Sequence, residues 1–184
     1  MRRSIQHFSV FAVLLLGLPA AANAQRRVPA ADAAAVGGDV GLFVPRSDAL
    51  DTGLALEGFY EYYFTPRGSL RLGLGWLNPH FSGRQDDSLR TVRVAVDGVY
   101  NWERGELHPF VGGGIGIYFL QPQNNGNSVG DSETKTAATV FGGAEFFTSR
   151  KLSIKAEGRY HLVGDAFGVN PDGLELTIGL KKYF

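Results

Sequence analysis

The stretch Gly173-Leu-Glu-Leu-Thr-Ile-Gly-Leu-Lys-Lys-Tyr-Phe184 decides the fold, because its side chains alternate between two kinds of surface. One face is apolar and carries Leu174, Leu176, Ile178, Leu180 and Phe184. The opposite face is polar or small and carries Glu175, Thr177, Gly179, Lys181 and Tyr183. In a soluble sheet the apolar face covers a core, whereas in a membrane barrel it meets lipid and the charged face lines the lumen. The rest of the chain has to distinguish these two environments.

The amino end predicts a secretory signal peptide over residues 1–24. It starts with two arginines, continues with an apolar run at 8–18 and ends in an Ala-x-Ala motif at Ala24. The run is shorter than the roughly 20 apolar residues that cross a bilayer as a helix. We therefore expect Sec-type export, cleavage after Ala24, a periplasmic lead over 25–36 and a folded domain over 37–184.

Composition excludes several classes of protein. The chain has no cysteine, which excludes disulfide staples and thiolate metal sites. Its 18 basic and 18 acidic residues give a formal net charge of zero, so no nucleic-acid partner is expected. The length fits one domain once the signal peptide is removed.

Period-two alternation recurs along the mature chain, and no segment shows an extended helical period. The pattern predicts an all-β fold, an eight-stranded antiparallel up-and-down transmembrane β-barrel. The predicted strands span 37–44, 52–64, 69–77, 89–102, 107–120, 136–147, 151–162 and 173–184. About ten residues is the length with which a tilted strand crosses a membrane.

The connections between these strands alternate in length. Tight turns are predicted at 65–68, 103–106 and 148–150, an intermediate connection at 45–51, and longer polar loops at 78–88, 121–135 and 163–172. Short turns on one side and long loops on the other are typical of periplasmic turns and extracellular loops. An even strand count then returns both termini to the periplasmic side.

The polar faces of the strands predict a charged lumen. The inward set is Glu57, Glu61, Arg71, Arg93, Asp97, Glu145, Lys155, Glu157, Arg159, Glu175 and Lys181. Side chains fill the interior of an eight-stranded barrel, so we expect a salt-bridged plug in preference to an ion path. Glycines at 73, 75, 112, 114 and 116 are expected to leave room for long inward side chains.

Aromatic residues cluster near the strand ends on the predicted outer face. They are Tyr60, Tyr62, Phe64, Trp76, Tyr100, Trp102, Phe119 and Phe184. Such positions are typical of the aromatic girdles at the two membrane interfaces.

Together, the signal peptide, the eight alternating segments, the glycine-rich run at 109–117 and the final Phe184 resemble the small outer-membrane β-barrel family, the OmpA/OmpX-like group. The resemblance implies a monomer in the bacterial outer membrane, with lipid and lipopolysaccharide around it. It also implies recognition of Phe184 by the barrel-assembly machinery. Lys182 departs from the family's terminal pattern, and we expect it to snorkel to the periplasmic interface. No peptidoglycan-binding domain is expected after Phe184.

A search for chemistry finds no catalytic, cofactor-binding or metal site. After the signal peptide the histidines are His80, His108 and His161, and none has a serine and an acid at a spacing that indicates a triad. No cluster has the ligand spacing of a zinc or calcium site.

We therefore expect a non-enzymatic barrel with a structural, adhesion or surface-interaction role through its extracellular loops. Three alternatives remain at this point. The first is a lipid A-modifying enzyme of the same fold that would use His161. The second is a secreted soluble barrel with the opposite facing and an apolar ligand inside, which alternation alone does not exclude. The third is a narrow pore.

Overall fold

The computed structural model describes residues 29–102 and 105–184. The predicted signal peptide, residues 25–28 of the lead and two residues of the predicted turn at 103–106 lie outside this part of the chain. Within the described ranges, no helix is long and apolar enough to span a membrane.

The described residues form nine strands. They are β1 (Ala34–Pro45), β2 (Leu50–Tyr63), β3 (Gly68–Phe81), β4 (Arg84–Asn101), β5 (Leu107–Asn124), β6 (Asn127–Ser128), β7 (Glu133–Phe147), β8 (Leu152–Leu162) and β9 (Gly173–Tyr183). Neighbouring strands pair antiparallel, and β1 pairs with both β2 and β9, so the sheet closes on itself. Because β6 is a two-residue strand that pairs with the tip of β5, the barrel wall has eight strands. The predicted eight-stranded antiparallel barrel is confirmed.

The two ends of the barrel differ. We call the end with the connections 64–67, 102–106 and 148–151 the turn end, and the end with 46–49, 82–83, 125–132 and 163–172 the loop end. The predicted long loop at 78–88 is wrong, because β3 continues to Phe81 and β4 already starts at Arg84. The polar composition of this segment suggested a loop, but the ladder hydrogen bonds are made by backbone groups whatever the side chains are.

The predicted loop at 121–135 also contains strand. β5 runs to Asn124, β6 folds back on it, and β7 starts at Glu133. At the other end, β1 starts at Ala34, three residues before the predicted start of the first strand. The result is that β3, β4 and β5 extend further at the loop end than the sequence pattern indicated.

The facing of the side chains follows the prediction. Every charged residue of the predicted inward set is at most 5% exposed. On the outer face Ile115 is 66% exposed and Leu74 is 60% exposed, although both are apolar. The soluble barrel with an apolar interior is excluded, since Ile154 is exposed while its neighbour Lys155 is fully buried.

Aromatic side chains mark two levels on the apolar outer face. At the turn end, exposed aromatic residues include Tyr62, Tyr100 and Trp102, and the rings of Tyr100 and Trp102 contact each other with centroids 5.1 Å apart. Nearer the loop end, Trp76 and Phe119 flank Val92 in register. Eight residues of β4 separate the two levels, which corresponds to a height of about 20 Å for a tilted strand. This apolar band matches the hydrocarbon layer that a small membrane barrel spans.

Two glycines give a matched test of the packing. A Cβ atom at Gly114 would lie 2.2 Å from Asp97 Oδ1 inside the barrel, whereas a Cβ at Gly58 meets nothing within 4 Å on the outer face. We expect Gly114→Ala to lower the free energy of unfolding by about 1–3 kcal/mol through overpacking. Gly58→Ala is expected to change it by at most about 0.5 kcal/mol. Denaturant titration followed by electrophoresis without boiling measures both, and equal effects would contradict the facing.

Candidate functional site

The lumen is the most highly charged interior region of the described chain. It holds seven buried carboxylates, which are Asp39, Glu57, Glu61, Asp97, Glu145, Glu157 and Glu175. It also holds five buried cations, which are Arg71, Arg93, Lys155, Arg159 and Lys181. Asp39 was missing from the predicted set. The sequence alternation could have placed it inside, because Asp39 shares one face of the strand with Gly41 and Phe43. Val40 and Leu42 lie on the opposite, apolar face.

Glu157 is the centre of the ion-pair network. Its carboxylate accepts hydrogen bonds from Arg71 Nη1 at 2.7 Å, from Lys155 Nζ at 2.9 Å and from Arg159 Nε at 3.0 Å. Lys155 Nζ also lies 2.6 Å from Asp39 Oδ2. Three strands are therefore joined across the lumen by one cluster of charges, each at most 5% exposed.

Further pairs and aromatic rings fill the space around this cluster. Arg159 Nη1 donates to Asp97 at 2.8 Å, and Arg93 Nη2 donates to Glu57 at 2.7 Å. The guanidinium of Arg159 also lies 4.1 Å from the centre of the Phe141 ring. Charge-assisted hydrogen bonds and cation–π contacts offset part of the cost of desolvating these groups.

The turn end of the lumen is closed by a second network. Lys181 Nζ lies 2.9 Å from Glu61 Oε2 and donates to the Tyr63 hydroxyl at 2.5 Å. Glu145 accepts hydrogen bonds from Lys181 at 3.3 Å and from the Tyr183 hydroxyl. These side chains are closely packed at this level, because each is at most 5% exposed.

His161 lies at the loop end of the lumen, inside the barrel. Its Nδ1 is hydrogen-bonded to the Tyr118 hydroxyl at 2.7 Å and its Nε2 to Glu175 Oε2 at 2.8 Å. The Phe43 and His161 rings form a T-shaped contact with their centroids 5.6 Å apart. The structure places His161, the residue that a lipid A-modifying enzyme would use, fully buried. Both ring nitrogens are engaged and the imidazole is shielded from lipid.

The other candidate histidines are not brought together with His161. His108 is buried near the turn end, with Nε2 3.1 Å from the Gly105 carbonyl oxygen. His80 lies at the end of β3. In residues 29–102 and 105–184, no group of three or more His, Cys, Asp or Glu side chains is arranged to hold a metal ion.

The loop end carries an apolar cap. Residues 163–172 fold over the barrel mouth, and Val163 and Ala166 pack with Leu50, Leu89, Tyr118, Leu120 and Ala137. The loop is anchored by Asp172, whose Oδ1 accepts hydrogen bonds from the backbone of Val163 at 2.7 Å and of Gly164 at 2.9 Å. The mouth is therefore covered above the ion-pair network.

Beside the cap, the ends of β3, β4 and β5 form an extended sheet that lies beyond the aromatic level of Trp76 and Phe119. Asn124 Nδ2 donates to Asp87 Oδ1 at 2.5 Å, which ties the end of β5 to β4. Arg84 Nη1 lies 3.5 Å from Asp87 Oδ2 at the tip. These side chains are polar and accessible, so this end offers a surface for contacts outside the membrane.

Comparisons with known proteins agree with this architecture. A family model described as outer membrane protein beta-barrel domain matches residues 8–184. OprG from Pseudomonas aeruginosa superposes with a TM-score of 0.72 at 10% identity, over 87% of this chain and 99% of that chain. Neisserial surface protein A gives 0.68 at 16% identity, over 83% and 99%.

A third similar structure is Ail, the attachment invasion locus protein of Yersinia pestis, with a TM-score of 0.59 at 14% identity over 84% of this chain and 99% of that chain. Ail has also been solved in complex with the heparin analogue sucrose octasulfate, and that structure gives 0.53 at 15% identity over 83% and 97%. At such identities the likeness concerns the fold alone. None of the curated proteins matches the sequence.

Proposed function

The chain belongs to the outer membrane protein β-barrel family, and from this premise we propose that it acts by surface interaction through its extracellular loop end. The barrel resides in the bacterial outer membrane, with lipid and lipopolysaccharide against its apolar face. The observation that carries the proposal is the extended sheet of β3, β4 and β5. From Phe119 to Asn124 the strand continues for five residues past the aromatic level of Trp76 and Phe119. At the same tilt this is about 12 Å of sheet that is not needed to span the membrane.

A filled lumen supports this role over conduction. The twelve charged side chains of the lumen are at most 5% exposed, which favours a lumen filled by side chains over a continuous water path. Transport of a solute would require many of these ion pairs to break together, which is costly in a low-dielectric interior. We therefore propose a barrel whose interior is structural and whose contacts are made outside.

The same geometry supports a non-enzymatic role. A lipid A-modifying enzyme needs its catalytic group where the outer leaflet reaches it. His161 is fully buried between Tyr118 and Glu175, on the lumen side of the wall. Its two hydrogen bonds hold the ring in place and add to the plug.

Export and assembly complete the proposal. We propose cleavage after Ala24, a monomeric barrel, and recognition of Phe184 by the barrel-assembly machinery. Phe184 is 64% exposed at the turn end, and Lys182 Nζ lies 5.8 Å from the centre of its ring. An amine beside an interfacial ring suits the snorkelling expected of Lys182 at the membrane boundary.

A trimmed variant tests the proposed function. In it, residues 80–86 and 164–171 are replaced by short Asn-Gly turns, and a mobility shift on boiling verifies that the barrel still folds. We expect the native barrel to bind at least one of three probes, namely heparin, purified lipopolysaccharide or a lysine-rich peptide, about tenfold more tightly than the trimmed variant. Equal binding of all three probes by both proteins would contradict a surface role.

A further inference from the structure

Phe167 is an anomaly of the cap at the loop end. Its side chain is 40% exposed although it is a large aromatic ring, and its backbone has a φ of 52°. Left-handed backbone is uncommon for residues other than glycine, asparagine and aspartate, and for a bulky residue it is strained. An exposed aromatic ring and a left-handed backbone are both unfavourable, and neither is needed for the fold.

The turn around Phe167 is held firmly. The backbone groups of Ala166 and Val169 exchange two hydrogen bonds of 2.8 and 2.9 Å, so that Phe167 and Gly168 form a two-residue turn. Gly168 has a φ of 75°, and two positive φ angles in succession are the signature of a type I′ turn. Asn, Asp or Gly is the usual residue at the first of these positions, where this chain has Phe.

A side chain from β7 fixes the turn further. Glu133 Oε2 accepts a hydrogen bond from the Phe167 backbone N–H at 3.3 Å, while Glu133 Oε1 lies 2.6 Å from Lys135 Nζ. With Asp172 anchoring the start of the same loop, the ring is presented on a rigid support. Strain that is kept in place by surrounding contacts points to a function for the residue that bears it.

The surroundings of Phe167 are acidic. Asp165, two residues before Phe167, is exposed, and so is Asp131, two residues before the Glu133 that contacts the Phe167 backbone. Lys135 is already paired with Glu133. Across the described loop end, the acids Asp48, Asp51, Asp86, Asp87, Asp131, Glu133, Asp165 and Asp172 outnumber the bases Arg46, Arg84, Arg90 and Lys135. A negative potential over this surface attracts cations and repels polyanions.

We propose that Phe167 is the apolar anchor of a binding surface for a basic polypeptide segment that carries an exposed apolar side chain. The proposal rests on the proposed surface role and specifies the chemistry of the partner. An aromatic ring at the centre of a contact supplies the anchor, and the acidic residues around it steer the basic segment. Because the turn is already ordered, little entropy is lost on binding.

The test uses the full barrel in nanodiscs of zwitterionic lipid and three probes. The first is a short lysine-rich peptide with a central Leu, the second is the same peptide with Glu in place of Lys, and the third is heparin. We expect the basic peptide to bind, more tightly at low salt, and the other two to bind at least tenfold more weakly.

Substitutions separate binding from folding. Phe167→Asn suits the positive φ, so the barrel should be at least as stable, yet the basic peptide should bind about tenfold more weakly. Asp165→Asn should reduce the salt dependence of binding. Val129→Ala, which truncates another exposed apolar side chain of the loop end, serves as the control and should leave the affinity within about twofold.

The binding results distinguish the proposed partner from the alternatives. Unchanged affinity of the Phe167→Asn barrel, or no binding of the basic peptide to the native barrel, overturns the inference. Tighter binding of heparin than of the basic peptide overturns it too. If that heparin binding is lost in the trimmed variant, the proposed surface role stands and only the partner chemistry is wrong.

Discussion

Replacing Arg159 with Met is expected to lower the free energy of unfolding by about 3–5 kcal/mol, because it leaves a buried carboxylate without a cation. Arg159 is 1% exposed and lies 2.8 Å from Asp97 and 2.9 Å from Glu157. Glu157 keeps Arg71 and Lys155 as partners. Within the described residues Asp97 has no second ion pair and keeps only the hydrogen bond from Thr139 Oγ1 at 3.3 Å, so most of the stabilisation of its buried charge is lost.

The composition of the lumen adds to this cost. The seven carboxylates already outnumber the five cations, so loss of a cation enlarges the imbalance and loss of a carboxylate reduces it. We therefore expect Asp97→Asn to be less destabilising than Arg159→Met. The double variant Asp97→Asn/Arg159→Met should recover most of the lost stability, since it removes both charges.

Urea titration of the refolded barrel measures these variants, with tryptophan fluorescence and mobility without boiling as two independent probes. The matched control is Arg84→Met, which removes an exposed cation from its 3.5 Å pair with Asp87. An exposed pair contributes at most about 1 kcal/mol. The prediction fails if Arg159→Met and Arg84→Met unfold at the same urea concentration, or if the double variant is no more stable than Arg159→Met.

The facing of each strand could be predicted from sequence, but the pairing of the charges could not. In β8 the order Lys155, Glu157, Arg159 fixes which face is inward, because the period is two. Arg159 finds Asp97 on β4, which does not pair with β8 in the sheet. That contact depends on the strand register, on the height of each residue along the barrel axis and on the curvature of the closed sheet. The alternation of residue types specifies none of these three properties.

The ends of the strands and the contacts at the barrel mouth could not be predicted from the sequence for a related reason. The polar segment at 78–88 reads as a loop, yet His80 and Ser88 pair in the ladder. His161 alternates as an inward residue, but its burial depends on the cap that residues 163–172 fold over the mouth. Phe167 gave no signal at all in the sequence, because its backbone angle follows from the turn that Ala166 and Val169 close.

Ile115→Arg is expected to lower the free energy of unfolding of the barrel in lipid vesicles by about 2–4 kcal/mol, the effect of an arginine at the midplane of a membrane barrel. Ile115 is 66% exposed and lies in the middle of β5, opposite Val96 and Ala138. An arginine on a water-facing strand usually changes stability by no more than about 0.5 kcal/mol. The magnitude therefore reports whether this face meets lipid.

The matched control is Leu107→Arg, on the same strand but at its turn end, where Leu107 is 41% exposed. Near the interface the arginine reaches water and phosphate groups, so the expected cost falls to about 0–1 kcal/mol. Urea titration in phospholipid vesicles compares the two variants. Equal costs at the two positions would place the apolar band elsewhere on the barrel. A much larger cost at Ile115 than at Leu107 requires a hydrocarbon layer centred on Ile115. Only in that case does the sheet beyond Phe119 lie outside the membrane, where it is free to bind.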